Sequence, residues 1–507
     1  MPVVGYEHLR EHLGLSAFAP PRPALVKPVI RVDPNDGFIG VPAAMAPANE
    51  DLLGHVLFAL KHEGTDLAIL AEALPHVEPQ CLLEQLRRTP SGKYLRIAGF
   101  LWEAFTRRSL DALPELRGAT VPLFDPKRYI TAPGERSARW KVEFNGLGSL
   151  QYCATVRRTP AIEARLASDV LARANAFVAN TDKPLLDRAL SWAYLGETRA
   201  SFEIERETPS PDKARAFVDL LRHAHTQQTL SEDYLVALQC ITVSNPYDRA
   251  AAFRHEQNWL SSGAAGALGV SYVPPPPELA ADLMHELMAF ANTQAKTLDP
   301  LVFAACLSFG FVFIHPFMDG NGRLSRFLFH YALSQSGRLA DGLILPVSIA
   351  MARHEKDYLA ALQAFSRPAR QRWDVQMFDA ETFDFRFTGH PAIYRYWDAT
   401  DCVAFGLRMA NAALSEDLQQ QVDFSRRYDR IVRQINAQFD IRNAILSTLV
   451  VSALEHGRIS KRRRDQYANA VPKEAFDAIE QAVSATLADV TTGTPDANAI
   501  TEQPDES

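Results

Sequence analysis

The sequence predicts a mainly α-helical protein with small β elements, and three features of the chain carry that reading. Apolar residues recur at helical spacing from Leu52-Leu53 through the run Lys473–Val483. Strand-like alternation is confined to short pieces, clearest in Arg139–Phe144 and Leu150–Val156, with Asn145-Gly146 between them as a hairpin signal. The third is an almost uncharged run, Leu301–Ile314, long enough for a buried helix that ends at Pro316; a second apolar helical pattern follows over Leu324–Leu333.

Length and composition bound the rest. At 507 residues the chain exceeds what one core holds, so two to four domains are expected. Hydrophobic residues make up 47% and charged residues 22%, an ordinary globular balance, and no apolar run reaches the length of a membrane span. The start, Met1–Glu7, lacks a basic segment followed by an apolar one, so a cytoplasmic protein without membrane contact is expected. Cys81, Cys153, Cys240, Cys306 and Cys402 are scattered, with no close pair to bind zinc, and read as reduced core residues. A net charge of −7 argues against broad nucleic-acid binding.

Taken in order, residues 1–47 contain Pro20, Pro21, Pro23, Pro28, Pro34 and Pro42 and read as an extended arm. Residues 48–183 read as a helical module with a small β element beginning near Thr120. Residues 184–366 form the central domain, which holds the uncharged run. Residues 367–484 read as a helical C-terminal region; within it, Lys461-Arg462-Arg463-Arg464 is a solvated helix start rather than the turn of a helix-turn-helix. Residues 485–507, rich in Thr, Gly, Pro, Asp and Glu without an aromatic, read as a disordered tail.

The chemistry concentrates in His315-Pro316-Phe317-Met318-Asp319-Gly320-Asn321-Gly322-Arg323-Leu324-Ser325-Arg326. Asp319, Gly320, Asn321 and Gly322 are the residue types that most readily accept positive φ, so several backbone N–H groups can converge on an anion at the start of the second helix. Arg323 and Arg326, three apart, share a helix face and can hold phosphate oxygens. Asp319 is a hard oxygen ligand suited to the Mg²⁺ that accompanies a nucleotide. His315 accepts a proton near neutral pH.

This stretch resembles the signature of the Fic family, His-Pro-Phe-x-(Asp/Glu)-Gly-Asn-Gly-Arg-x-x-Arg, at every specified position. The resemblance implies a Fic-type helical bundle with a β-hairpin flap, here built from the segments around Trp259-Leu260 and Val270–Val273 ahead of four prolines. It covers roughly Leu185–Phe365. It implies His315 as general base, Asp319 as Mg²⁺ ligand, Gly320, Asn321 and Gly322 as the phosphate cradle, and Arg323 and Arg326 on the β and γ phosphates. An aromatic in the following helix, Tyr358, is implied to line the adenosine pocket. Ser201 and Glu205 match the (Ser/Thr)-x-x-x-Glu-(Gly/Asn) motif of a helix whose glutamate pairs with the second signature arginine, in the family class with an N-terminal inhibitory helix. Arg206 departs from that motif. By composition alone, Glu203, Glu205 and Glu207 would be a solvated face.

The activity implied is Mg²⁺-dependent transfer of AMP from ATP to a Ser, Thr or Tyr hydroxyl of a protein, this chain itself among the candidates, with Glu205 as inhibitor and a homodimer left open. Three alternatives stand beside it: AMP removal with Glu205 orienting water, transfer of another nucleotide at the same site, and a regulator that binds nucleotide or nucleic acid without turnover.

Overall fold

A computed structural model describes residues 2–491 of the chain, except 36, 227, 262, 264, 265 and 379–382. The fold is mainly helical. It divides into two compact units, Met1–Ala179 with Ala193–Leu414, and Asn180–Trp192 with Ser415–Ser507.

Where an extended arm is expected, the first unit begins with helix α1 (Gly5–His12) and strands β1 (Val3–Val4), β2 (Ala24–Val26), β3 (Asp33–Pro34) and β4 (Ile39–Val41), joined in the order β1-β2-β4-β3. The prolines permit this because they fall between strands or, as Pro34, on the edge strand, where a missing N–H costs no ladder bond. Val4, Ala24, Ile39 and Val41 then bury themselves against Phe58. Helices α2 (Leu52–His62), α3 (Leu67–Ala73), α4 (Pro79–Arg88) and α5 (Lys93–Thr106) follow. Asp51 and Asp66 cap α2 and α3, and Leu70, Leu82, Leu86 and Trp102 form the core with Tyr6 and Leu9 of α1.

The β element departs from the expected hairpin. Strand β7 (Val142–Phe144) pairs with β5 (Val121–Pro122) and β6 (Glu135–Ser137), while β8 (Leu147–Gly148) pairs with β9 (Cys153–Thr155). Asn145 is buried between the two sheets and clamps Phe124, accepting from its N–H at 2.9 Å and donating to its carbonyl at 2.9 Å. Its amide is thereby used to carry the chain from one sheet to the next, and the strands on either side never meet.

Next come α6 (Pro160–Ala167), α7 (Val170–Ala179), α8 (Lys183–Ile204), α9 (Pro211–His223) and α10 (Glu232–Thr242). An antiparallel hairpin of β10 (Leu260–Ser261) and β11 (Val270–Tyr272) occupies the expected flap position. Helix α11 (Pro277–Gln294) leads to α12 (Pro300–Ile314), which is buried at every residue but Val312. Asp299 caps α12 by accepting from Leu301 and Val302, and Pro300 fits its first turn. Helices α13 (Asn321–Gln335), α14 (Val347–Arg353) and α15 (Glu355–Arg370) complete the bundle. A second hairpin, β12 (Trp373–Met377) and β13 (Phe383–Phe387), packs Phe383 against Trp259 beside the flap at 4.9 Å between ring centroids. After α16 (Ala392–Arg395), β14 (Tyr396–Asp398) joins β9 in parallel, and α17 (Thr400–Ala412) packs on α12.

The second unit contains α18 (Gln419–Asn436), α19 (Asn443–His456), α20 (Lys461–Tyr467) and α21 (Lys473–Thr491) around Ile431, Leu449, Phe476 and Ile479. The basic run is the first turn of α20, capped by Ser460, with Arg464 paired to Asp477 and Glu480. Helix α21 continues to Thr491, and the rest of the tail expected over 485–507 lies outside the described residues. Among the described residues no helix is long and apolar enough to cross a membrane. All five cysteines are free; Cys153, Cys306 and Cys402 are buried, whereas Cys81 lies on the outward side of α4 and Cys240 is half-buried, contrary to the core reading of those two. Replacing Asn145 distinguishes its lock from a turn: Asn145→Gly, harmless in a hairpin turn, should lower stability by about 1–3 kcal/mol because the Phe124 amide groups lose their partners. Chemical denaturation of both proteins reads this directly.

Candidate active site

Helix α12 stops because Pro316 has no N–H to continue it and restricts the residue before it. His315 takes the left-handed conformation there, φ 55° and ψ 60°, while its own N–H still reaches the Phe311 carbonyl at 2.9 Å. Its Nδ1 lies 3.1 Å from the Val312 carbonyl. A carbonyl only accepts, so Nδ1 carries the hydrogen and Nε2 keeps its lone pair. Burial pushes the imidazole pKa down to about 4; Arg254 works in the same direction, and the Val312 bond, Glu205 and Asp319 oppose it. Near neutral pH the ring is therefore an uncharged base.

The loop after His315 has its carbonyls drawn away on one side. The His315 carbonyl accepts from Arg254 Nε at 2.8 Å and that of Pro316 from the Arg254 N–H at 2.8 Å. Asn258 Nδ2 serves Phe317 and Met318 at 3.0 and 3.2 Å, and Gln239 Nε2 serves Asp319 at 3.1 Å. With five consecutive carbonyls engaged, the loop leads into α13 at Gly320, whose φ of 88° only glycine adopts freely and whose missing Cβ would stand 3.1 Å from Val243. The first amide bonded within α13 is that of Leu324, so the N–H groups of Asn321, Gly322 and Arg323 head the helix as an anion site. The Asn321 side chain does not project into this space. It is buried and grips Phe317, accepting from its N–H at 3.0 Å and donating to its carbonyl at 2.7 Å.

Carboxylates already occupy this ground. Arg326, buried, donates from Nη2 to Glu205 at 2.8 Å and to the Ser201 carbonyl at 2.6 Å, and from Nε to the Ser201 hydroxyl at 2.9 Å. Glu205 Oε1 comes within 2.0 Å of where a Cβ on Gly322 would be, so the carboxylate lies directly on the head of α13. Arg323, also buried, donates to Glu207 at 2.8 Å and to Asp319 at 3.1 Å. Glu207 in turn accepts from Ser244 at 2.8 Å. Even so, Arg323 Nε and Arg326 Nη1 remain buried without a hydrogen-bond partner. The Asp319 side chain is 41% exposed. Tyr358 is buried between Phe309 and Phe405, and its hydroxyl is pushed up by burial against the pull of Arg326.

His315, Asp319, Gly320, Asn321, Gly322, Arg323, Arg326, Tyr358 and Glu205 thus share one neighbourhood, set by the α12–α13 turn and the end of α8. Residues 229–333 match the Fic/DOC family. That segment of the chain, 229–333, is therefore similar to the Fic/DOC family. A stretch of 67 residues is 42% identical to "Protein adenylyltransferase Fic" of Drosophila yakuba and covers 13% of this chain and 14% of that protein. The Drosophila melanogaster protein of the same name is 40% identical over 67 residues, with the same shares. The match thus spans about a seventh of the curated relatives. Among solved structures, a Fic family protein from Desulfovibrio desulfuricans G20 aligns with 63% of this chain and 87% of its own at 17% identity and a TM-score of 0.37. Fic-1 from C. elegans aligns over 74% of this chain and 99% of its own at 15% identity and 0.33.

Composition hides Glu207, which reads as solvated from sequence and holds Arg323 in the structure. The departure at Arg206 has a backbone meaning. Helix α8 ends at Ile204, and Arg206 sits at φ 59°, the left-handed closing position where Gly and Asn are least strained. The N–H of Glu207 then returns to the Phe202 carbonyl at 3.0 Å, which turns the chain so that Glu205 and Glu207 both face α13. Among the described residues Arg206 pairs with no carboxylate, so its charge does not compete for Glu205. Arg206→Gly should accordingly stabilise the protein by roughly 0.5–1 kcal/mol, the left-handed strain relieved less the entropy glycine adds to the unfolded chain. Calorimetric unfolding of the variant checks it.

Proposed function

We propose that the Fic/DOC domain transfers AMP from ATP to a hydroxyl of a protein, and that Glu205 holds the enzyme in a restrained state. One observation carries this reading: a neutral histidine with a free Nε2 stands at the mouth of a helix N-terminus whose two buried guanidinium groups still have unpartnered nitrogens. Mere nucleotide binding needs the helix head and the arginines. It does not need a base poised beside them.

In the proposed reaction the triphosphate lies on the N–H groups of Asn321, Gly322 and Arg323, with Arg323 and Arg326 on its β and γ groups. His315 Nε2 takes the proton of the target hydroxyl as its oxygen forms a bond to the α-phosphorus; the bond from that phosphorus to the bridging oxygen breaks, and pyrophosphate leaves. Among the described residues no cluster of three or more His, Cys, Asp or Glu is placed to hold a metal. Asp319, a lone half-exposed carboxylate, instead fits Mg²⁺ that arrives on the polyphosphate, where it supplies charge neutralisation. Tyr358, buried against Arg326, keeps that guanidinium in place; its assignment to the adenosine pocket rests on the family resemblance.

Restraint follows from the carboxylates. Glu205 on Arg326 covers Gly322, where a phosphate would bind, and Glu207 holds Arg323 in the same way, so a triphosphate must displace both. The two pairs are about a third exposed on the acid side, which makes them separable by a competing anion rather than permanent.

The reading is tested with α-labelled ATP, the purified protein and candidate targets including the chain itself. Label should pass to protein in a Mg²⁺-dependent manner, rise several-fold in Glu205→Gly, and fall about 10²-fold in His315→Ala with ATP binding retained. Unchanged transfer by His315→Ala overturns the mechanism. Release of AMP from a modified target that disappears in Glu205→Gly overturns the direction of the reaction instead.

A further inference from the structure

Arg254 is buried yet forms no ion pair among the described residues, Glu278 acting on it only at a distance; every acceptor it bonds is a backbone carbonyl. Its Nε donates to His315 at 2.8 Å, Nη1 to Glu256 at 2.9 Å and Nη2 to Pro275 at 2.5 Å, and its own N–H donates to Pro316 at 2.8 Å. Such a cation costs heavily to bury, and burial lowers its pKa to about 10. Apolar packing alone would be served more cheaply by Leu or Met, so the position is held for its donors.

The acceptors are not scattered. Two are the consecutive carbonyls of His315 and Pro316; the first, held by the side chain, is oriented by the ψ angle of a strained left-handed residue, and the second is held by the Arg254 backbone N–H. A non-glycine residue persists in that conformation only where its surroundings over-determine it. Another, Pro275, lies three residues past β11, on the exit of the flap. The same exit is tied to α12 a second time, by the Tyr272 hydroxyl donating to the Phe313 carbonyl at 2.5 Å. Four residues after Arg254, Asn258 holds the carbonyls of Phe317 and Met318.

We propose that Arg254 is a positioning residue that fixes the backbone of His315, and through it the direction of Nε2, in register with the flap. A planar fork with donors in three directions can do this; a lysine, with one ammonium, cannot reach the His315, Glu256 and Pro275 carbonyls together. The catalytic consequence rests on the transfer reading above, while the positional one does not.

The experiment therefore has two arms on Arg254→Gln and Arg254→Lys in the full chain, each first shown folded by its thermal transition. In the first, ¹⁵N spectra of labelled histidine, with the His315 signals assigned by their loss in His315→Gln, read the tautomer. The wild type should show one form with hydrogen on Nδ1, and both variants should show mixed tautomers. The charged groups that face this ring are Arg254, Glu205 and Asp319; the two carboxylates are unchanged in both variants, and Arg254→Lys keeps the cation as well. In the second, kcat for transfer should fall about 10²-fold in both variants with KM for ATP within about twofold, since the phosphate-holding residues are untouched. Identical His315 spectra in wild type and variants overturn the proposal. So does a loss confined to KM, or full activity in Arg254→Lys, which would make charge rather than geometry the role. A wild type inactive in transfer but with the spectral change would leave Arg254 as proposed and remove the transferase reading.

Discussion

Two guanidinium groups buried at the head of α13 must be neutralised, and the arrangement of the site follows from that requirement. Arg323 and Arg326 are each 1% exposed at the side chain. Leaving either unpaired in that setting would cost several kcal/mol. The chain meets the need from one short segment: α8 ends, Arg206 turns the backbone through its left-handed position, and Glu205 and Glu207 fall on the two arginines. Because the carboxylates are partly solvated and the helix head beneath them favours any anion, the same neutralisation can be supplied from outside. Neutralising the two arginines and covering the head of α13 are thus one interaction, not two.

The second constraint is directional. An anion site at a helix head works only if its neighbouring carbonyls are elsewhere, and here Arg254, Asn258 and Gln239 draw those of residues 315–319 away. Asn321 serves the same end by gripping Phe317. Several residues that look like ligands or spare polar groups in the sequence are in fact the frame that frees the N–H groups at the start of α13, while His315 owes its neutral ring to burial and its Nδ1 hydrogen to the Val312 carbonyl.

How much of this was legible depended on sequence distance. The α12–α13 turn reads directly because its breakers, glycines, arginines and histidine lie within twelve contiguous residues and a proline marks the boundary. Glu205 is legible only through the family resemblance, which implies that the glutamate four residues past Ser201 pairs with the second signature arginine. Glu207 was not, since a charged stretch looks alike whether it faces solvent or an arginine more than a hundred residues onward. Arg254 reads in the sequence as a further phosphate-binding or flap-anchoring cation, and the carbonyls it holds are invisible to composition. At the N-terminus the prolines suggest an arm, whereas they lie outside the strands or, as Pro34, on the edge strand. Asn145-Gly146 shows the converse: a strong local turn signal yields when the asparagine amide has a buried backbone to bind.

The central claim is that Glu205 and Glu207 stand in the place of the outer phosphates. It is tested most directly by calorimetric titration of the wild type and the Glu205→Gly/Glu207→Gln double variant with AMP, ADP and ATP in the presence of Mg²⁺. If the carboxylates and phosphates compete for Arg326 and Arg323, the double variant should bind ATP at least about tenfold more tightly while AMP, which reaches neither arginine, changes little. An equal gain for all three nucleotides, or none for ATP, would contradict it.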